Sequence, residues 1–231
     1  MHLIRHYLTL AVFCFAFMLG YTQVNPEEEL GSWYMFIGTH RVSDNISINT
    51  GVQFRYYEVF TNYNLDLFYT GLNYHINPNT VLTLNYGYLD IDRSIEFTTI
   101  KNTIEHRVYE QISHKHQLWE IPIHHRLRLE HRFLHTMTKN TIQNRLRYRL
   151  GTNIKLNTTL FLVVHNEFFL NFTEEAFREN RAYAALGITI NKSIKLQLGY
   201  MKHHINDFNL NRLQFGLYLN TDLRKKSKSN K

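Results

Sequence analysis

A chain of 231 residues with a formal charge of +7, 44% hydrophobic and 19% charged residues is too apolar for a disordered polymer and too evenly polar for a helical membrane protein. Three Pro and ten Gly stand against fifteen Tyr and sixteen Phe, and the aromatic fraction of 14% suits strands with half-buried faces. One medium β-barrel, or one or two soluble domains, fits this length.

The first segment, residues 1–23, carries His2, Arg5 and His6, then an apolar run from Leu10 to Leu19, then Gly20-Tyr21-Thr22-Gln23 ahead of the acidic Glu27-Glu28-Glu29. That order is a secretory signal peptide. The run is well short of the ~20 residues a membrane-spanning helix needs. Ala11-Val12-Phe13 before Cys14 does not make a lipobox. Cys14 is the one cysteine, so cleavage near Gln23 leaves no thiol for disulfide, metal or nucleophile chemistry. The positive charge is terminal: Arg5 belongs to the leader, and Arg224, Lys225, Lys226, Lys228 and Lys231 belong to a basic tail, residues 222–231, read as disordered. The body between is near neutral, so nucleic acid is not an expected partner.

From residue 24 to 221 the signal is period two, one barrel domain. In 46–57, Ile46, Ile48, Val52, Phe54 and Tyr56 oppose Ser47, Asn49, Gly51, Gln53, Arg55 and Tyr57. In 119–133, Trp119, Ile121, Ile123, Leu127, Leu129 and Phe133 oppose Glu120, His124, Arg126, Arg128, Glu130 and Arg132. Ile142, Leu146, Tyr148, Leu150 and Ile154 oppose Gln143, Arg145, Arg147, Arg149, Gly151 and Asn153. Eleven candidate strands follow: 31–40, 46–58, 64–76, 81–91, 104–116, 119–133, 141–156, 159–171, 181–190, 194–205 and 208–221. Short turns, among them Gln117-Leu118 and Asn157-Thr158, alternate with generally longer polar links at 59–63, 92–103, 134–140, 172–180 and 206–207. This is an all-β, up-and-down antiparallel transmembrane barrel of 10–12 strands with a polar lumen. Because bacterial barrels of this kind have an even strand number, Val24 to Gly31 is a candidate for a lumen-threading segment or a short twelfth strand, or else one of the eleven is a loop.

The rival is an inside-out, lipocalin-like soluble barrel with an apolar cavity. Side-chain chemistry favours the membrane: the polar faces carry Arg, Asn, Gln, Gly, Tyr and Thr, while Lys115, Lys155, Lys195 and Lys202 lie near strand ends. Crowded Arg and Glu suit a narrow lumen. Trp33, Tyr34, Tyr56, Trp119 and Tyr200 lie near strand ends, where a membrane girdle wants aromatics.

Leu30-Gly31-Ser32-Trp33, Glu105-His106-Arg107 with Glu110-Gln111, the run from His125 to Phe133, Asn180-Arg181 and Leu198-Gly199-Tyr200-Met201 together give a chain that resembles the uncharacterised bacterial outer-membrane barrel family catalogued as domain of unknown function 2490. The resemblance spans most of the mature chain. It implies an outer-membrane barrel and no activity. Gln214, Gly216 and Leu219 are spaced much like a barrel-assembly signal, although a terminal aromatic is missing and the chain continues past them.

The expected lumen charge set is Arg55, Glu105, Arg107, Arg126, Arg128, Glu130, Arg132, Arg145, Arg147, Arg149, Glu167 and Arg181. Two readings stand: an ion-pair lattice that fills a small barrel, or a positive strip that binds or passes anions. Of fourteen histidines, only His114 and His116 share a strand face at chelating distance, and no third ligand follows at a diagnostic spacing. A Ser–His–acid lipid-modifying enzyme is the enzymatic alternative, with His165 and Glu167 on one face, but no glycine-flanked serine marks a nucleophile. The expectation is therefore a non-enzymatic outer-membrane barrel of a Gram-negative bacterium, structural or weakly passing anions. No cofactor or metal is expected, and the expected partners are outer-membrane lipids, lipopolysaccharide and the barrel-assembly machinery.

Overall fold

A computed structural model describes residues 27–92, 102–172, 176 and 179–224. The expected signal peptide (1–23) and residues 225–231 of the expected tail lie outside the described residues. The chain forms β1 (Leu30–Arg41), β2 (Ile46–Tyr56), β3 (Tyr63–Asn77), β4 (Thr80–Ile91), β5 (Thr103–Leu118), β6 (Ile121–His135), β7 (Asn140–Lys155), β8 (Leu160–Asn171), β9 (Glu179–Thr189), β10 (Ile194–Ile205) and β11 (Phe208–Asp222). Every sequential neighbour pairs antiparallel, and β1 closes on β11. The sequence is therefore an all-β, closed barrel of eleven strands.

The even strand number expected of such a barrel is not met. Eleven hairpin-linked strands leave the first and last pointing the same way, so the β1–β11 seam is parallel, with Leu30 opposite Asn211 and Arg41 opposite Asp222. Of the candidate twelfth strand, residues 24–26 lie outside the described residues, and 27–29 are not in a strand. Glu27 lies at the start of β11, where its carboxylate accepts from the Asn209 backbone N–H at 2.6 Å and its carbonyl from Asn211 at 3.2 Å.

The connections separate the two ends. One end carries the turns 42–45, 78–79, 119–120, 156–159 and 190–193, and the chain leaves β11 there; at the other lie 57–62, 136–139 and the brief 206–207, and β4 connects to β5 and β8 to β9. We call these the short-turn and long-loop ends. The β5–β6 turn is two residues further on than the sequence suggests: β5 runs to Leu118, and Trp119 takes a left-handed φ of 54° in the turn. A two-residue hairpin wants positive φ there, which a tryptophan does not advertise. At the same end Arg224 donates to Asp222 and, at 2.6 Å, to Asp44, fixing the chain just past β11 to the β1–β2 turn.

Period two decides what each face meets. Outward rows such as Leu72, Leu84, Ile142 and Leu198 are exposed, Ile142 by 69%, while Ser47, Asn49, Asn85, Glu105, Glu130 and Arg147 point inside. This is the reverse of a lipocalin-like barrel. The interior is not wholly polar, however. Trp33, Met35, Tyr183, Ala185 and Met201 form one buried apolar cluster, and Leu65, Leu67, Leu89 and Ile91 form another. The strands that supply them are apolar on both faces near the long-loop end, so an apolar patch enters the lumen with them.

Candidate functional site: the charged lumen

Cross-strand register brings the expected charges together. In the β6–β7 ladder Arg126 faces Arg149, Arg128 faces Arg147 and Glu130 faces Arg145. Like charges directly opposite one another repel, and the glutamates resolve this by bridging diagonally. Glu130 is fully buried; its Oε2 accepts from Arg145 Nε at 2.9 Å and Nη2 at 2.7 Å, and its Oε1 from Arg147 Nη1 at 2.7 Å. Arg128 Nη1 and Arg107 Nη1 approach the same carboxylate at 3.5 and 3.8 Å. Arg147 turns its other edge to Glu167 on β8, donating from Nε and Nη2 at 3.0 Å each, the two-pronged geometry that a planar guanidinium allows. Arg126 donates to Glu167 as well. On β5, fully buried Glu105 accepts from Arg107 Nε at 2.6 Å and from Arg132 at 2.9 and 2.7 Å.

Glu179, on β9, carries the lattice round the barrel: it accepts from Arg145 at 3.0 Å, from Arg181, and from His203 Nε2 of β10 at 2.9 Å. Phe169, fully buried, lies under three of the cations, with Arg147, Arg181 and Arg145 centred 4.5, 4.6 and 4.9 Å from its ring. Trp33 takes Arg55 at 3.6 Å and Arg181 at 5.0 Å. A guanidinium is weakly hydrated and stacks well on such rings. Trp33 is thus inside the lumen at 5% exposure rather than in an outer girdle, whereas Trp119 stands in its turn at 86%.

All twelve expected charges face the interior, and three contributors were not among them: Glu179, His203 and Arg212. Two arginines of the expected set, Arg55 and Arg149, make no ion pair among the described residues, and Arg212 bonds only the Asn211 carbonyl, at 2.9 Å. A cavity of about 460 Å³ runs along the lumen, lined from Trp33 and Arg55 through Arg126, Arg128 and Arg149 to His124. A second cavity of about 880 Å³ lies beyond it among the turns, lined by Arg41, His75, Asn79 and Lys115. Arg126, Arg149 and His124 line both.

A family model described as a protein of unknown function, DUF2490, matches residues 30–214. The chain belongs to this family. The match begins on the first residue of β1 and ends inside β11, so the family unit of this DUF2490 protein is the barrel itself. A comparison with curated proteins finds no match.

The histidines divide by face. His203 points inward to Glu179 while His204 is exposed, and His124 lines the cavities while His125 points outward to the Tyr148 hydroxyl at 2.7 Å. His114 and His116 share the outer face of β5 and stack 6.0 Å apart, with His125 5.1 Å beyond. Among the described residues no group of three His, Cys, Asp or Glu is arranged to hold a metal ion. His165 faces the lumen and stacks on Tyr183 at 4.7 Å, and its Nδ1 has no partner. Its strand neighbour Glu167 is committed to Arg126 and Arg147.

Proposed function

We propose that this DUF2490 protein is a non-enzymatic outer-membrane barrel of a Gram-negative bacterium, exported by its leader and inserted by the barrel-assembly machinery. Its lumen is held shut to bulk flow by the arginine–glutamate lattice and leans toward anions. The observation that carries the reading is the division of faces: rows of exposed Leu, Ile and Phe outside, a connected net of buried Arg and Glu inside. In water the outer rows would be a large unshielded apolar surface; in a bilayer they are the lipid contact. Strands of 11 to 16 residues meet or exceed the ~9–11 that a tilted span requires. The short-turn end then faces the periplasm and the long-loop end faces lipopolysaccharide, in line with the usual asymmetry of such barrels.

Pairing of both Glu167 oxygens with arginine supports a structural role for that residue over a role as the acid partner of His165. The test is fractionation of the mature protein followed by electrophoresis with and without heating. Recovery with outer membranes, together with a mobility shift on heating, is expected. Recovery as a soluble periplasmic monomer would overturn the reading.

A further inference from the structure

Among the described residues the lumen holds more arginine than its carboxylates pair, and Arg149 is one of those left over. Arg149 lies between Arg126 on one neighbouring strand and Glu167 on the other, yet makes no ion pair among the described residues, because Glu167 is occupied by Arg126 and by both prongs of Arg147. Arg128 is held mainly by Gln111 Oε1, at 2.9 and 2.7 Å, and lies 4.0 Å over the Tyr109 ring. Six buried side-chain atoms without a hydrogen-bond partner belong to residues that line this same cavity: Arg55 Nε, Arg126 Nε, Arg181 Nε, Thr152 Oγ1, His165 Nδ1 and Tyr183 OH. Polar groups buried without partners are costly, and their gathering round one chamber marks it as a place where the fold is built for something other than its own stability.

We propose that the chamber is a binding site for a small anionic sugar, carboxylated or phosphorylated, admitted from the short-turn end and anchored by Arg126, Arg128 and Arg149. The inference deepens the lumen reading given above and rests on it. Size, lining and approach each contribute. A chamber of about 460 Å³ is of ligand-pocket size and holds a single sugar unit with its charged group. Arginine forks suit the planar oxygens of a carboxylate or the face of a phosphate. The rest of the lining is amide and aromatic, with Asn49, Asn85, Gln53 and Tyr69 in it, groups of the kind that meet sugar hydroxyls and rings. A bare inorganic anion would have no use for these. The approach is positive as well. Arg41 and Lys115 line the outer cavity, and the acid there, Asp44, is engaged by Arg224 at 2.6 Å. Low-dielectric walls of one sign concentrate a counter-ion at the chamber.

The experiment uses the full mature chain, refolded in detergent and checked for the heat-dependent mobility shift. Emission from Trp33, which lines the chamber, is titrated with glucuronate, glucose 6-phosphate, glucose and inorganic phosphate in a Trp119→Phe background. Saturable change with either anionic sugar is expected, at least tenfold weaker for glucose, and at least tenfold weaker again in Arg149→Gln. Arg149→Gln removes a guanidinium that makes no ion pair among the described residues, so its heat-shifted mobility and melting point are expected to hold; Arg149→Lys, which keeps charge without the fork, is expected to restore binding only in part. Glucose binding as tightly as the anions, phosphate binding as tightly as glucose 6-phosphate, or no saturable response in a protein that still shows the mobility shift would each overturn the site while leaving the barrel reading intact. Loss of the shift in the unmodified chain would instead overturn the barrel reading.

Discussion

Arg149 stands directly across the β6–β7 ladder from Arg126, and among the described residues Arg126 is ion-paired to a carboxylate while Arg149 is not. Two rungs toward the long-loop end the same ladder sets Arg128 against Arg147, and the next sets Glu130 against Arg145. The lattice is therefore graded. Along β6 and β7 it is compensated at Glu130, Arg145 and Arg147 and positive at Arg126 and Arg149, while Arg55 and Arg212, nearer the long loops, also make no ion pair among the described residues.

The compensated half should be brittle. Glu130 is the node where Arg145 and Arg147 meet at 2.7 Å, so Glu130→Ala leaves their guanidinium groups buried with fewer partners and is expected to cost about 3–5 kcal/mol, read as a clear fall in melting temperature in detergent. Asp44→Ala, which removes a carboxylate 88% exposed at the rim, is expected to leave the melting temperature unchanged. Equal stability of the two variants would mean that water reaches Glu130 and that the lattice does not close the lumen.

Backbone crowding gives a second contrast. A Cβ on Gly71 would come within 2.2 Å of the Leu84 carbonyl oxygen and 2.0 Å of Asn85 Oδ1, whereas one on Gly87 would meet nothing nearer than 3.5 Å. Gly71→Ala is expected to lose about 1–3 kcal/mol, since a backbone oxygen in the β3–β4 ladder cannot step aside, and Gly87→Ala to be tolerated. Urea or thermal unfolding of the two variants side by side checks this. Tolerance at both positions would show that the β3–β4 register differs from the one described.

The parallel seam is testable by cross-linking. Phe36 of β1 and Leu217 of β11 are register partners on the outer face, and register neighbours fall in the Cα range a disulfide spans. Phe36→Cys with Leu217→Cys is expected to give a spontaneous intrachain disulfide under oxidation, seen as a mobility difference on reducing and non-reducing gels. Phe36→Cys with Leu219→Cys, displaced by two residues, is expected to give much less. The opposite order would place the seam in another register.

Much of this barrel is legible from alternation, and the failures have physical causes. A wall one residue thick cannot average its faces, so wherever Arg or Asn alternates with Leu or Ile, as in 46–56 and 121–135, the side chains sort themselves. Trp33 defeats that logic because Met35 and Ile37 on its own face are as apolar as Tyr34 and Phe36 on the other. Polarity contrast is absent there, and proximity to a strand end suggests a girdle that Trp33 does not join. Glu179 is hidden for another reason: it is the first residue of β9, beside a polar link where too few residues precede it to establish a phase. The seam is beyond sequence patterning altogether, since nothing in the period of β1 or β11 says which way they run when they meet.

The most direct test of the central claim, an apolar wall facing lipid round a polar lumen, is quenching of tryptophan by bilayers whose acyl chains carry bromine. In a Trp119→Phe chain Trp33 is the remaining tryptophan of the mature protein and lies inside the barrel, and Phe68→Trp adds one on an outward position of β3 exposed by 44%. Trp33 alone is expected to keep its emission in brominated bilayers, and the chain with Phe68→Trp to gain a component that is strongly quenched. Quenching of Trp33 without quenching at position 68 would mean that the faces are reversed, and no quenching at either position would mean that the barrel does not enter the bilayer.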